Sequence, residues 1–210
     1  MEKFTTLTAI AAPLLRINID TDAIIPSREM KRVSRDGLSE GLFAGWRYQS
    51  PGSREENPDF ILNREPYRRA RILLSGINFG CGSSREHAVW ALHEWGIRAV
   101  IAPSFGAIFQ GNCVRNGVVP VALDNALVES LAQQVEADPE NNQVTVDLVQ
   151  CLVIAPDRNQ HGFSVPKADR EMLLEGLDSI AVTLKRDAAI LAFRERDRVR
   201  RPWIYLPTNL

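Results

Sequence analysis

The chain alternates short apolar runs with amphipathic segments, a pattern typical of strands followed by helices. Apolar runs predict buried strands at Arg71–Ser75, Ala99–Ala102 and Val118–Val121, the last with a proline of the kind tolerated in an edge strand. Ala88–Trp95 carries an apolar helical face, and Gly96 is placed to end that helix. Phe105–Asn112 predicts a second helix that ends near Gly111. This alternation predicts a single domain of the α/β or α+β class.

Both ends of the chain carry further strand patterns. Phe4–Ala11 predicts a strand, and Leu14–Ile19 predicts a second short extended run. Later strands are predicted at Val144–Leu148, Leu152–Ala155 and Phe163–Val165, and helices at Leu127–Val135 with Asp124 as cap, Ala168–Leu177 and Asp187–Arg196. Trp46–Tyr67 is polar and rich in proline, which predicts a long surface excursion. We expect one domain over residues 1–210, in which about 195–210 form a basic tail.

The charge balance gives no electrostatic case for nucleic acid or a membrane surface, because 25 basic residues face 26 acidic ones. No apolar run approaches the roughly 20 residues that span a bilayer, and the first residues lack the features of a signal peptide. We therefore expect a cytoplasmic protein without nucleic-acid or membrane partners. Arg194–Trp203 is locally basic, but acids interleave there, which favours a solvated helix end and a tail packing on a partner subunit.

The cysteines do not form a metal or disulfide pattern. The chain has three, Cys81, Cys113 and Cys151, spaced some thirty or more residues apart. An iron–sulfur cluster usually needs three or four thiolates, and disulfide frameworks usually pair an even number. We expect this chain to bind no metal and no cluster. Cys81 is more simply a small packing residue of a turn than a nucleophile, since no partner base can be assigned.

The segment Asn78–His87 joins the central predicted strand to its helix and concentrates the reactive side chains of the chain. Gly80 and Gly82 allow the backbone to bend and to approach a ligand closely. Ser83 is placed to cap the helix, with Glu86 three residues later completing a capping box. Pure capping is the commoner role of such a Ser-x-x-Glu pattern. The segment therefore predicts a strand-to-helix turn, whatever else it does.

The same turn has the composition of an anion site. If Ser83 caps the helix, free N–H groups and the positive end of the helix dipole face Ser83 and Ser84. Arg85 adds a permanent charge whose planar fork suits a carboxylate. A dinucleotide fingerprint would need a glycine where Arg85 stands, and a hydrolase elbow would need one at Glu86. The residues thus favour a carboxylate cradle and neither of those sites.

The letters Gly-Ser-Ser-Arg-Glu-His at 82–87 resemble the swivel domain of the aconitase superfamily. The preceding Asn-Phe-Gly-Cys at 78–81 is similar to the small-subunit family of the isopropylmalate dehydratases, also called isopropylmalate isomerases. Asp20–Pro26 and Pro103–Phe109 carry the same resemblance, which extends from Thr5 to about Phe193. It implies an aconitase-type swivelling domain with three β/β/α layers.

The resemblance also implies an activity. It implies one subunit of a hydro-lyase that isomerises 2-isopropylmalate and 3-isopropylmalate through 2-isopropylmaleate, in leucine biosynthesis. The implied partner is a large subunit that holds a [4Fe–4S] cluster, and the implied substrate is a small dicarboxylate. Two alternatives stay open: a related dehydratase for another alkyl-malate of the citraconate or dimethylmalate type, and a non-enzymatic module that binds anions or RNA.

Site residues follow from the resemblance. Ser83 matches the serine that removes the carbon-bound proton as an alkoxide, and Ser84 and Arg85 match the contacts to substrate carboxylate. Asp22 is expected to support these residues from behind.

A further contact is expected from the loop Ser27–Arg32, which in the family lies over the active site. Met30 is its only apolar side chain, and a flexible thioether suits a branched alkyl group. Glu86 and His87 are expected to hold the turn together.

Overall fold

The computed structural model describes residues 1–30 and 36–205. Its strands are β1 Thr6–Ala9, β2 Ala11–Leu14, β3 Ile72–Ser75, β4 Ala99–Ala102, β5 Val119–Ala122, β6 Val144–Asp147, β7 Leu152–Ile154 and β8 Gln160–Gly162. They form an antiparallel sheet of order β1-β6-β7-β8 and a parallel sheet of order β2-β3-β4-β5. This mixture of two sheets with connecting helices confirms the α/β class.

The helices of the described residues are α1 Thr21–Ile24, α2 Ala44–Arg47, α3 His87–Trp95, α4 Ala107–Arg115, α5 Asn125–Ala137, α6 Lys167–Glu175, α7 Ser179–Leu184 and α8 Asp187–Arg200. Short 3-10 turns lie at Ser27–Glu29, Ser39–Gly41, Ile61–Asn63, Tyr67–Arg69 and Pro202–Ile204. In the part of the chain that the structure describes, no helix is both long and apolar enough to span a bilayer. The chain divides into two compact units, Met1–Gly176 and Leu177–Leu210.

The parallel sheet forms the centre of the first unit. β2, β3 and β4 are buried throughout, and α5 packs against all three. Helix α3 connects β3 to β4 and α4 connects β4 to β5, so the carboxyl ends of the strands meet at one edge. Open α/β sheets bind ligands outside this edge. β5 borders the sheet, and its Pro120 confirms the predicted edge strand.

Strand β3 and helix α3 confirm the central prediction. Gly96 ends α3 with a φ of 110°, and its N–H points to the carbonyl oxygens of Leu92 and His93. Glycine adopts this left-handed conformation without the steric cost of a side chain.

Two predicted strands are wrong. The extended run expected at Leu14–Ile19 is instead β2 at Ala11–Leu14, because the chain leaves the antiparallel sheet after β1 and enters the parallel one at once. The strand expected at Phe163–Val165 is β8, three residues earlier. A tight turn joins β7 to β8, with the Ala155 N–H donating to the Asn159 carbonyl at 2.9 Å, and this turn sets the pairing register.

Two other expectations need correction. Helix α4 continues past Gly111 to Arg115, since an interior glycine costs only about 1 kcal/mol relative to alanine. The segment Trp46–Tyr67 is not wholly at the surface, because Phe60 and Leu62 are buried. This largely polar segment also contributes to an aromatic cluster, in which the ring centroids of Trp46 and Phe60 lie 6.5 Å apart.

The second unit consists of α7, α8 and the Pro202–Ile204 turn. The Asp178 carboxylate caps α7 through the Ala181 N–H at 2.7 Å. Asp197 accepts hydrogen bonds from Arg201 Nε at 2.6 Å and from the Tyr205 hydroxyl at 2.9 Å. The basic stretch thus includes a folded helix end with an internal ion pair. The single domain expected for 1–210 stays a prediction.

Candidate active site

The reactive turn Asn78–Glu86 lies at the carboxyl edge of the parallel sheet, between the segments that follow β2 and β4. On one side the Gly80 N–H donates to the Ile19 carbonyl oxygen at 2.7 Å. On the other side the Phe79 N–H donates to the Ser104 carbonyl oxygen at 3.0 Å. Two neighbouring segments therefore fix the backbone that leads to the candidate residues.

Gly80 is required by both backbone conformation and space. Its φ is 71°, and a Cβ there would lie 2.1 Å from the ring of Phe109, which is buried. Gly82 has a φ of 91° but room for a Cβ, so only its backbone conformation favours glycine. The close approach of helix α4 to the turn thus depends on Gly80.

The predicted capping box is wrong. Helix α3 begins at His87, with Glu86 as N-cap and no side-chain cap bond. The Glu86 carboxylate instead accepts a hydrogen bond from Asn116 Nδ2 at 2.8 Å, because the end of α4 lies beside the turn. The helix N-terminus therefore lies beyond Ser83. Within the described part of the chain, the backbone N–H groups of residues 84–88 have no hydrogen-bond acceptor, and those of residues 84–87 belong to residues that are not buried.

The two serines present their hydroxyls to solvent. The Ser83 carbonyl oxygen accepts a hydrogen bond from Thr21 Oγ1, and that of Ser84 accepts one from Asn112 Nδ2, each at 3.4 Å. Both serines are exposed, and their hydroxyls have no partner among residues 1–30 and 36–205. The peptide groups are thus held from within while both hydroxyls stay available.

Two asparagines at the end of α4 contact the reactive turn, and sequence reasoning missed these contacts. Asn116 is the C-cap of α4, and Asn112 lies inside the helix and is buried, beyond the helix end expected near Gly111. Their spacing of four residues places both on one helix face. Asn116 also accepts a hydrogen bond from Trp90 Nε1 at 3.0 Å, so it connects both ends of the first turn of α3. That spacing was the available signal, hidden by the early helix end expected at Gly111.

Arg85 and Asp22 form an ion pair, with Nη1 and Oδ1 2.6 Å apart. The hydrogen bond from Arg85 lowers the pKa of the Asp22 carboxyl, and bonds from Ser27 add to the effect. These come from the Ser27 N–H at 3.3 Å and its hydroxyl at 3.1 Å. Asp22 therefore joins Arg85 to the start of the loop that carries Met30. Among the described residues this pair uses one of the five N–H donors of the guanidinium.

Met30 follows the Ser27–Glu29 turn, is half-buried and packs against the core. Lys31 and Arg32 of the predicted loop lie outside the described residues.

Each end of this loop is held by a carboxylate. Near Met30, Glu29 pairs with Arg54 Nη2 at 2.8 Å. Beyond the loop, Glu94 of α3 accepts hydrogen bonds from the N–H groups of Gly37 and Ser39 at 2.5 and 2.6 Å. Burial alone would raise the pKa of the Glu94 carboxyl, but the hydrogen bonds from these backbone N–H groups lower it below its ordinary value. The helix after the reactive turn thus also holds the backbone at Gly37 and Ser39.

The cysteines of this chain are not arranged as ligands of an iron–sulfur cluster. Cys113 is buried in α4, and burial raises the pKa of its thiol, which disfavours the thiolate that a cluster needs. Cys81 lies in the reactive turn and Cys151 beside the antiparallel sheet. Within residues 1–30 and 36–205, no group of three or more His, Cys, Asp or Glu side chains could hold a metal ion.

Known proteins match this chain over most of its length. Residues 1–126 match the family described as the Aconitase C-terminal domain. The 3-isopropylmalate dehydratase small subunit of Cupriavidus necator is 62% identical over 205 residues, which cover 98% of this chain and 99% of that protein. The small subunit of Paramagnetospirillum magneticum is 48% identical over 204 residues, with coverage of 97% and 100%.

A solved structure gives the same result. The crystal structure of 3-isopropylmalate dehydratase from Methanocaldococcus jannaschii superposes with a TM-score of 0.62 at 25% identity. The superposition covers 90% of this chain and 99% of the Methanocaldococcus jannaschii chain. The matches confirm the predicted β/β/α swivel-type fold.

Proposed function

Because the chain belongs to the family of 3-isopropylmalate dehydratase small subunits, we propose that it isomerises 2-isopropylmalate and 3-isopropylmalate through 2-isopropylmaleate, in leucine biosynthesis. The reaction removes water and adds it back in the other orientation, and this chain performs it only with a large subunit. The observation that carries the proposal is the pair of exposed serines, Ser83 and Ser84, beside the half-buried Arg85 at the carboxyl edge of the parallel sheet.

This group is half of an active site. It can bind a carboxylate and exchange a proton, but elimination of an unactivated hydroxyl also needs a Lewis acid at the leaving oxygen. The donors of this chain do not fit such a metal, as shown by the buried thiol of Cys113 and the separation of the other cysteines. In the family that the chain belongs to, the large subunit would hold a [4Fe–4S] cluster, which would supply the Lewis acid for the leaving hydroxyl.

Ser83 acts as the base that removes the proton from carbon. An ordinary serine hydroxyl is a very weak acid, so its oxyanion must be stabilised by nearby positive charge and hydrogen-bond donors. Arg85 lies two residues away, and the backbone N–H groups of 84–88 have no acceptor among the described residues. Thr21 donates to the Ser83 carbonyl oxygen and so helps to hold the backbone that carries this side chain.

Ser84 and Arg85 bind a substrate carboxylate. The guanidinium has a planar fork that matches a carboxylate with two parallel hydrogen bonds. Asp22 holds one nitrogen of this fork and so orients the remaining donors. A bound substrate carboxylate adds negative charge beside Asp22, and the two carboxylates share the single positive charge of Arg85. Asp22 is thus a positioning residue for the arginine.

Met30 selects the alkyl group. It lies where the Ser27–Glu29 turn ends, and Asp22 connects that turn to Arg85. A thioether that is half-buried against the core presents an adaptable apolar surface to an isopropyl group.

Reconstitution tests the proposal. The chain and its cognate large subunit are purified anaerobically, and formation of 2-isopropylmaleate is followed by its ultraviolet absorbance. We expect turnover from the mixture, and none from either subunit alone. A panel of smaller malates, run at equal subunit ratios, should give lower specificity constants. Turnover by this chain alone, or a mixture that associates but leaves isopropylmalate unchanged, would contradict the proposed function.

A further inference from the structure

Exposed apolar side chains of the first unit concentrate at the edge that carries the candidate site. Among its described residues, the large apolar side chains that are exposed are Met1, Leu15, Ile17, Ile77, Ile108 and Val149. Four of these six lie in the segments that follow β2, β3 and β4. Their exposed fractions are 41% for Leu15, 65% for Ile17, 47% for Ile77 and 57% for Ile108. We call these four residues the apolar rim.

The segments of the rim are direct neighbours. The Asn18 N–H, next to Ile17, donates to the carbonyl oxygen of Ile77 at 2.8 Å. The Asn78 N–H, next to Ile77, donates to Ser104 Oγ at 2.9 Å in the segment that leads into α4 and Ile108. The rim therefore follows one continuous edge and is not a scatter of single exposed residues.

The backbone of the rim is also closely packed. A Cβ on Gly76 would lie 2.6 Å from the carbonyl oxygen of Arg16, so the segments after β2 and β3 touch backbone to backbone. Ser75 Oγ donates to the Leu14 carbonyl oxygen at 3.1 Å directly below. A surface held in this way loses little conformational entropy on binding, which favours a specific interface.

We propose that the apolar rim is the docking surface for the cluster-bearing large subunit. This inference rests on the proposed function, because the half-site at Ser83 opens at the same edge. Any chain that completes the site must cover this edge and would bury the rim. Interfaces bury apolar side chains at their centre, and exposed apolar groups of a soluble protein often mark such a surface. A second copy of this chain would bring another serine cradle but no Lewis acid.

The test uses aspartate substitutions at the rim with a matched control. Ile17→Asp, Ile77→Asp and Ile108→Asp each place a charge in the proposed interface. Val149→Asp is the control, since Val149 is 51% exposed but lies beyond β6 of the antiparallel sheet. Affinity for the purified large subunit is measured by anaerobic titration calorimetry, and circular dichroism checks that each variant is folded.

We expect each rim variant to weaken large-subunit binding roughly 10- to 100-fold, the range of interface hot spots. The control should stay within twofold of the parent chain. At saturating large subunit, kcat should be retained, because the rim contains none of the residues proposed to bind substrate or to transfer the proton. Ser83→Ala should show the reverse, with kcat lost and affinity retained.

Three results would overturn the docking inference. The rim variants could bind the large subunit as tightly as the control does, or the parent chain could fail to bind the large subunit. The rim variants could also lose self-association of this chain while they keep their affinity for the large subunit. Failure of the proposed function gives a different pattern. In that case the rim variants still weaken association while the assembled parent protein leaves isopropylmalate unchanged.

Discussion

Gly80→Ala tests the close approach of helix α4 to the reactive turn. Alanine in the left-handed region costs roughly 1–2 kcal/mol, and Gly80 has a φ of 71°. The added Cβ would also lie 2.1–2.6 Å from ring atoms of Phe109. That ring is 1% exposed and packs edge-on against Phe79, with centroids 5.3 Å apart, so it cannot move away freely. Overpacking of this kind costs typically 1–3 kcal/mol. We therefore expect a total loss of about 2–5 kcal/mol in the free energy of unfolding.

Gly52→Ala is the matched control, because Gly52 has a φ of 83° and nothing within 4 Å of an added Cβ. Its substitution should cost only the backbone term of roughly 1–2 kcal/mol. Both variants are measured by urea unfolding of the isolated chain. In a Phe109→Ala background the extra cost of Gly80→Ala should fall to that of the control. Equal losses at the two glycines in the parent background would refute the packing argument.

Three further outcomes are expected. Met30→Ala should reduce the preference for isopropylmalate over smaller malates by roughly 1–3 kcal/mol; an unchanged ratio of specificity constants would assign that selection to the large subunit. Asn116→Asp places a second carboxylate against Glu86 at the start of α3. We expect kcat to fall about tenfold, in line with the 1–3 kcal/mol that a disrupted buried hydrogen bond costs. An unchanged kcat would show that Asn116 does not position the reactive turn. Arg85 lowers the pKa of Asp22, so this pair stabilises the fold above the unfolded pKa of about 3.9, and the contribution disappears as pH falls through the lower folded value. Asp22→Asn should therefore flatten the acid side of the unfolding profile, and a profile of unchanged slope would contradict it.

Local patterns predicted the centre of the fold because several signals agree there. β3 contains the apolar run Ile72–Leu74, α3 has a clear apolar face, and Gly96 ends the helix in the left-handed conformation. The start of α3 was predicted from a single sequence pattern, and that prediction failed. The Ser-x-x-Glu pattern at Ser83 indicated a capping box, but Asn116 from α4 takes the Glu86 carboxylate. That competition comes from a contact 30 residues away in the chain.

The candidate site shows the same limit. The resemblance named Arg85 and Asp22 separately, while their ion pair joins residues 63 positions apart. Glu94 gave no sequence signal, because its role comes from backbone N–H groups at Gly37 and Ser39. Residue types that can do the chemistry were therefore predictable, and the groups that orient them were not. The apolar rim was not predictable from the sequence either, since only the sheet topology brings its segments together.

The role of Ser83 as the base is tested most directly by Ser83→Ala in the reconstituted enzyme, with Ser84→Ala as its neighbour control. The Ser83 hydroxyl is exposed, caps no helix and has no partner in the described residues, so the free energy of unfolding should change by less than about 0.5 kcal/mol. Loss of a general base should lower kcat roughly 10²–10⁴-fold, with large-subunit affinity and substrate binding retained. Ser84→Ala should act mainly on KM. If Ser83→Ala keeps a tenth or more of the parent kcat while folded and assembled, Ser83 is not the base.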